Sequence, residues 1–226
     1  FVYEAVQTNT IAVTAKAAWG WDEHAVGVAL VIMTAPIIFG GIRRVSRFAE
    51  MLVPLMATLY LLMALYIIVT NISLIPHVFG QIFDSAFNFK AAGGGLLGGL
   101  ISQTMMIGIK RGLYSNEAGQ GSAPNAAAAA EVKHPVSQGM IQMLGVFVDT
   151  IIVCSCTAFI VLVYQQPYGN LNGAELTQAA IISQVGAWGA DFLAIILFMF
   201  AFSTVIGNYA YAESNVQFIK NHWLLT

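Results

Sequence analysis

Five stretches of this chain carry no charged residue at all: Ala25–Ile42, Met51–Phe83, Ala91–Ile109, Thr150–Ala174 and Phe192–Ala212. Each is near or beyond the length at which a helix crosses a bilayer, about 20 residues at about 1.5 Å each. A soluble core can hide one such run, but not five. The composition agrees: 58% of residues are hydrophobic and 9% are charged, with a mean hydropathy of +0.75. Soluble domains average about 25% charged. The expected fold is therefore an all-α, polytopic membrane helix bundle. It forms a single transmembrane domain over residues 1–226, expected to be incomplete at both ends because the chain starts at Phe1 without a methionine and stops soon after a span.

Charge placement supplies an orientation. The expected spans are His24–Gly40, Met51–Ile72, Gly93–Ile109, Gln138–Tyr164 and Asp191–Tyr211, preceded by a partial helix at Val2–Ala18. Alternating connections then put Arg43, Arg44, Arg47, Lys110, Arg111, Lys133 and Lys220 on one side, and only Lys16 and Lys90 on the other. Basic residues accumulate on the cytoplasmic side, so the Arg43 side faces inward. The net charge of −2 identifies no partner, and no nucleic acid is expected. Membrane lipid is expected around the bundle.

Several polar positions interrupt the apolar runs. Ile75–Phe89 places Val78, Ile82, Phe83, Ala86 and Phe87 at helical spacing, which suggests an amphipathic helix at the outer interface or capping the bundle. Glu175–Trp188 has a weaker form of the same pattern. Pro36 and Pro54 fall inside spans, where proline loosens the backbone without ending the helix. Cys154 and Cys156, two apart on a helix, point in different directions, so neither a disulfide nor a shared metal is expected.

The third span is rich in glycine: Gly93, Gly94, Gly95, Gly98 and Gly99. Small residues four apart permit close helix packing. They also permit a helix broken within the membrane, whose freed N–H and C=O groups hold a carboxylate on one side and a cation on the other. Ser102, Gln103 and Thr104 follow directly and suit the lining of such a break. Gln7 and Asn9, in VQTNTIA, add a polar cluster on the first helix, either a face toward a water-filled cavity or bundle interior or a solvated outer helix end. Together Gln7, Asn9, Gly98, Gly99, Ser102, Gln103 and Thr104 are the candidate substrate-binding residues.

Asp149 sits near mid-depth in the fourth span. An isolated carboxylate there costs a few kcal/mol, so it needs water, a cation or a polar partner. It is a candidate cation ligand or proton carrier, and equally a structural carboxylate bonded to nearby donors. Ser203 and Thr204, in FAFST of the fifth span, either bond back to the preceding turn or offer neutral oxygens to a hard cation such as sodium. No resident cofactor is expected.

The stretch Gly108–Pro124, GIKRGLYSNEAGQGSAP, followed by Asn125 and five alanines, places charge and turn-forming residues where a helix leaves the bilayer. Lys110, Arg111 and Glu117 are candidate gating residues, able to form and lose ion pairs as the inner side opens and closes. A static charged turn that fixes orientation is the alternative. Ser122 is a candidate helix cap, with Pro124 in the first turn. Neither HExxH nor a phosphate loop is present, and the four histidines sit at or beyond span ends, so enzyme chemistry has no foothold. A channel filter motif is likewise absent.

These residues resemble the alanine or glycine:cation symporters, also called sodium:alanine symporters. The resemblance runs through VQTNTIA, IFGGIRRVSRFAEMLVPLMATLY, KRGLYSNEAGQGSAPNAAAAA, HPVSQGMIQMLGVFVDTIIVCSCTAFIVL and FAFSTVIGN. Tyr114 and Gln120 depart from the phenylalanine and methionine more usual there. The resemblance implies a leucine-transporter-type architecture of the amino acid–polyamine–cation superfamily, built from two inverted five-helix repeats, here partial. Under it, the Gly93–Ile109 span is the sixth core helix, the Asp149 span the seventh and the Ser203 span the eighth. It implies sodium-coupled symport of alanine or glycine across the plasma membrane by alternating access, with Ser203 and Thr204 in a sodium site. A proton-coupled symporter of another neutral amino acid is the alternative. The first, ninth and tenth core helices lie outside this stretch, so it alone is not expected to transport.

Overall fold

The computed structural model describes residues 2–39, 41–87, 97–117, 119–164, 166–167, 169 and 171–219, excluding the side chains of 2–4, 41–43, 85–87, 97–104, 217 and 219. Among the described residues every regular element is helical. In chain order these are α1 (Val2–Trp19), α2 (Glu23–Ile38), α3 (Gly41–Thr70), a 3-10 turn (Ile72–Leu74) and α4 (Ile75–Phe87). Next come α5 (Leu97–Ser115), α6 (Ser122–Ala128), α7 (Pro135–Phe147), a π-helical segment (Val148–Val153) and α8 (Cys154–Val163). The chain closes with α9 (Gly173–Val185) and α10 (Trp188–Ile219).

Among the described residues, three helices are long and apolar enough to cross a membrane: Arg44–Thr70, Pro135–Val163 and Trp188–Val216. These are the second, fourth and fifth expected spans, each a few residues longer than anticipated. The first expected span is α2, whose 16 residues reach about 24 Å, short of a hydrocarbon core of about 30 Å. The third corresponds to α5, and Gly93, Gly94, Gly95 and Lys90 lie outside the described residues, as does Lys220.

The helices gather into two compact units. The first runs up to Ile67 and resumes at Tyr164; the second runs from Ile68 to Val163. In the first, α1, α2 and α10 share a core of Ile11, Ala12, Ala15, Val26, Leu30, Ala201, Phe202, Ile206 and Ala210, joined by Val45 of α3. The four-residue spacings (Ile11/Ala15, Val26/Leu30, Phe202/Ile206/Ala210) put each set on one helical stripe. Phe202 stacks on Phe198 and meets Phe48 edge-on, with centroids 5.3 and 5.9 Å apart.

In α3, Met56, Tyr60, Met63, Ala64 and Ile67 are buried, and Tyr60 meets Phe200 of α10 edge-on. Leu55, Leu59, Leu62, Leu65 and Val69 stand exposed. A helix apolar all round, with one face packed and one bare, is what lipid as solvent requires. Pro54 lies within this helix without ending it.

The ends of α2 are tied off in opposite ways. At its start the Asp22 carboxylate accepts from the amides of His24 and Ala25, while Lys16 pairs with Glu23 at 2.8 Å. At its far end the Arg44 guanidinium donates to the Pro36 carbonyl at 2.9 Å. Lys16 and Arg44 thus sit at opposite ends of one apolar helix, in the alternation that the charge distribution requires.

Helix α9 presents Thr177 and Gln178 with Ala180 and Ile181 on its buried side, packed against α10 and α1. It stops at Val185, before the anticipated Trp188, because Gly186 (φ 88°) turns the chain into α10.

In the second unit, α4 is the expected amphipathic helix. Its Val78 is buried and Phe79 packs edge-on against Phe159 of α8, while Ile82 and Phe83 remain exposed. Ala86 and Phe87 have no described side chain, and Asn88 and Phe89 lie outside the described residues. The alanine run forms α6 as expected, but Ser122 is not its cap. Gly121, left-handed at φ 87°, takes the N-cap position, leaving Ser122 inside the first turn with its hydroxyl buried and without a hydrogen-bond partner among the described residues. A tight left-handed entry favours glycine because any Cβ there is strained. Helix α7 is capped by His134, whose Nδ1 accepts from the Val136 amide, with Pro135 as first helical residue.

Candidate functional site

The polar groups of the second unit converge where the end of α5 meets the π-helical segment. The Ser115 hydroxyl donates to Asp149 Oδ2 at 2.6 Å, and the Thr150 hydroxyl donates to Asn116 Oδ1 at 3.1 Å. Ser115 Oγ also lies 3.2 Å from Cys154 Sγ. With the Ser115 proton committed to the carboxylate, the Cys154 thiol is left as the donor. Asn116 is held in turn by donating from Nδ2 to the Gly112 carbonyl at 2.6 Å.

Asp149 and Thr150 are the second and third residues of the π-helical segment, and both reach the end of α5 from it. Over Val148–Val153 the Cys154 amide bonds back five residues to the Asp149 carbonyl. Single-turn π segments recur at functional positions in membrane and soluble helices alike. Asp149 is therefore a partnered carboxylate on an exposed face.

The turn after α5 is strained. Glu117 has φ 52°, alone among the described non-glycine residues in being left-handed, and Gly119 and Gly121 follow at 76° and 87°. The Glu117 amide donates to the Tyr114 carbonyl and the Gln120 amide to that of Glu117. Lys110, Arg111 and Glu117 are all exposed, and none forms an ion pair with another described residue.

Ser203 and Thr204 lie on α10 in the first unit, both half-buried. Both hydroxyls donate to one carbonyl, that of Phe200, at 2.8 and 3.0 Å. That back-bonding leaves the oxygen lone pairs as acceptors. Gln7 is half-buried and Asn9 exposed on α1; their neighbours Thr8 and Thr10 bond back to Ala5 and Val6. Helix α5 runs unbroken from Leu97 through Gly98, Gly99, Ser102, Gln103 and Thr104, whose side chains are not described. A cavity of about 310 Å³ among α1, α2 and α10 has a mostly apolar lining that includes Ile11, Trp19, Trp21, Leu30 and Phe198, with Asp22 among its residues.

Ser115 and Asn116 escaped the sequence reading, as did the contact of Cys154 with Ser115. Their signal was the Ser-Asn pair inside the charged motif, two polar side chains side by side at a helix end. The two cysteines invite reading as small buried apolar residues, but Cys154 is exposed and Cys156 only half-buried, because the face of this helix that bears them is incompletely covered among the described residues.

Comparison with known proteins bears on what this arrangement serves. The profile of the sodium:alanine symporter family matches residues 1–226. Among similar proteins of Bacillus subtilis (strain 168), the amino-acid carrier protein AlsT is 48% identical over 99% of this chain and 47% of its own length. The putative sodium/proton-dependent alanine carrier protein YrbD is 45% identical over 97% of this chain and 47% of its own. The probable sodium/glutamine symporter GlnT is 44% identical over 97% of this chain and 45% of its own. The chain thus spans about half the length of these curated relatives. They are transporters rather than enzymes, and are integral to the membrane. The match over its whole length places this chain in the sodium:alanine symporter family.

Proposed function

We propose that this chain belongs to a carrier that couples sodium entry to uptake of a small neutral amino acid, alanine or glycine, by alternating access. The family match over every residue supports the reading most directly. The relatives' names include sodium with alanine and sodium with glutamine, which supports the cation more firmly than the side chain carried.

In this reading the bundle has the leucine-transporter-type architecture, with α5 in the sixth core helix, α7 to α8 the seventh and α10 the eighth. Ser203 and Thr204 supply neutral oxygens to sodium. Their hydrogens already point to Phe200, so both oxygens accept without reorganising. Neutral ligands suit an ion that must leave on every cycle, whereas a cage of carboxylates would hold it. Gln7 and Asn9 of α1 and Gly98, Gly99, Ser102, Gln103 and Thr104 of α5 contribute to the amino-acid site. Lys110, Arg111 and Glu117, unpaired with one another in this state, act in inner gating.

Radiolabelled alanine uptake by the full-length protein, with sodium exchanged for choline at constant pH, tests the proposal. Uptake lost in choline supports it. Uptake that persists and follows an imposed pH gradient moves the coupling ion to the proton, the alternative that the sodium/proton-dependent relative keeps in view.

A further inference from the structure

We propose that the π-helical segment Val148–Val153 is a register switch, latched by the paired hydrogen bonds Ser115–Asp149 and Asn116–Thr150. A π turn holds one residue more than the α turn it interrupts, and it is bounded here by regular helix on both sides, α7 and α8. Relaxing it to α-helix rotates one flank against the other by about 100° and shifts it by about 1.5 Å. Nothing in VDTIIV itself demands the wide turn: it contains neither glycine nor proline. Two of its residues are held from outside, Asp149 by Ser115 and Thr150 by Asn116, so a one-residue change of register, with its rotation of about 100°, would carry both out of this pairing.

The latch has a second hallmark of a switch, stored strain on its other side. Asn116 is followed directly by the left-handed Glu117, a conformation that costs about 1–2 kcal/mol for a residue with a side chain. Asn116 is pinned from both directions, by Thr150 and by Gly112. Releasing the Thr150 bond frees the turn to relax. The charged motif and the seventh-helix segment therefore change together, a discrete two-arrangement element of the kind that carries coupling between distant sites. The inference rests on the transport reading for what the switch serves, not for its existence.

Native Cys154 supplies the test. Its sulfur lies 3.2 Å from Ser115 Oγ, so the Ser115→Cys substitution sets two thiols within disulfide reach in the π register only. In the full-length protein carrying Cys156→Ser, copper–phenanthroline should cross-link positions 115 and 154. The rate should differ by roughly fivefold or more between sodium with alanine and choline alone, because only one arrangement brings the thiols together. Oxidation should abolish uptake and dithiothreitol should restore it.

Cross-linking at one rate in all conditions, a cross-linked protein that still transports, or no cross-link at all overturns the switch. Wild-type protein that takes up no alanine instead sinks the substrate assignment, leaving the cross-linking rates to decide the switch. Should Ser115→Cys fail to fold, Thr150→Val offers a milder probe, since it removes one latch bond at nearly constant shape. Maleimide labelling of Cys154 should then change severalfold, and an unchanged rate overturns the proposal.

Discussion

Ser115 and Asp149 are joined by a 2.6 Å hydrogen bond across 34 positions, and the next residue on each side, Asn116 and Thr150, is joined at the same separation. This doubling makes the contact a defined register rather than a chance approach of two polar groups.

The character of Asp149 can be read by isosteric substitution. Asp149→Asn keeps an oxygen that accepts the Ser115 proton, and Asp149→Ala does not. If the carboxylate acts as the latch acceptor, the alanine variant should lose roughly tenfold or more of the uptake rate, in line with a charged hydrogen bond of about 1.5–3 kcal/mol. The asparagine variant should lose clearly less. Equal losses would instead mark the negative charge itself as needed, as for a cation ligand.

At the proposed sodium site, Ser203→Ala and Thr204→Ala each remove one oxygen. Each should raise the sodium concentration for half-maximal uptake by roughly tenfold, with a smaller effect on alanine at saturating sodium. Thr204→Ser, which keeps the hydroxyl, should stay near wild type. Sodium titrations of uptake at two pH values check this. Wild-type sodium dependence in both alanine variants would place the site elsewhere.

Glu117 separates backbone from side chain. Glu117→Gly relieves the left-handed strain and should raise stability in detergent by about 0.5–1 kcal/mol once the extra freedom of the unfolded glycine is subtracted. Glu117→Gln leaves the strain untouched and should melt with the wild type. If the carboxylate gates, Gln nevertheless slows uptake. Unchanged uptake at normal membrane expression leaves Glu117 a structural residue.

Gly189 tests the packing of α9 on α10. A Cβ there would stand 2.7 Å from Val185 Cγ2, 2.8 Å from Ile181 Cγ2 and 3.4 Å from the Ile181 carbonyl carbon. Both methyls sit on β-branched side chains that cannot swing aside freely. Gly189→Ala should therefore destabilise by about 1–3 kcal/mol, visible as a lower melting temperature in detergent.

The long spans were legible because lipid exposure makes hydropathy nearly sufficient: α3, α7 to α8 and α10 follow from uncharged length alone. Lys16 and Arg44 lie at opposite ends of α2, as the charge alternation has them, while the Asp22 cap and the Arg44–Pro36 bond that finish that helix were not legible. The π segment was not legible, since VDTIIV carries no breaker and the partners of Asp149 and Thr150, Ser115 and Asn116, lie 34 positions earlier. Periodicity reports which face a side chain is on, not what meets it. The cap of α6 went to Gly121 rather than Ser122 because the preceding turn demands a left-handed residue, a tertiary requirement that overrides the usual capping preference. The hydroxyls of Ser203 and Thr204 were visible as a pair, while their shared carbonyl partner was one of two outcomes the sequence left open.

The length of α10 has a consequence for the surrounding bilayer. Its 32 residues extend about 48 Å, against a hydrocarbon thickness of about 30 Å. Its uncharged stretch Phe192–Ala212 accounts for about 32 Å of that, so the ends beyond Asp191 and Glu213 project into the headgroup layers. The helix bearing Ser203 and Thr204 is thus matched to an ordinary bilayer, whereas α2 at about 24 Å falls short of one, so bilayer thickening should act on this protein through α2 first.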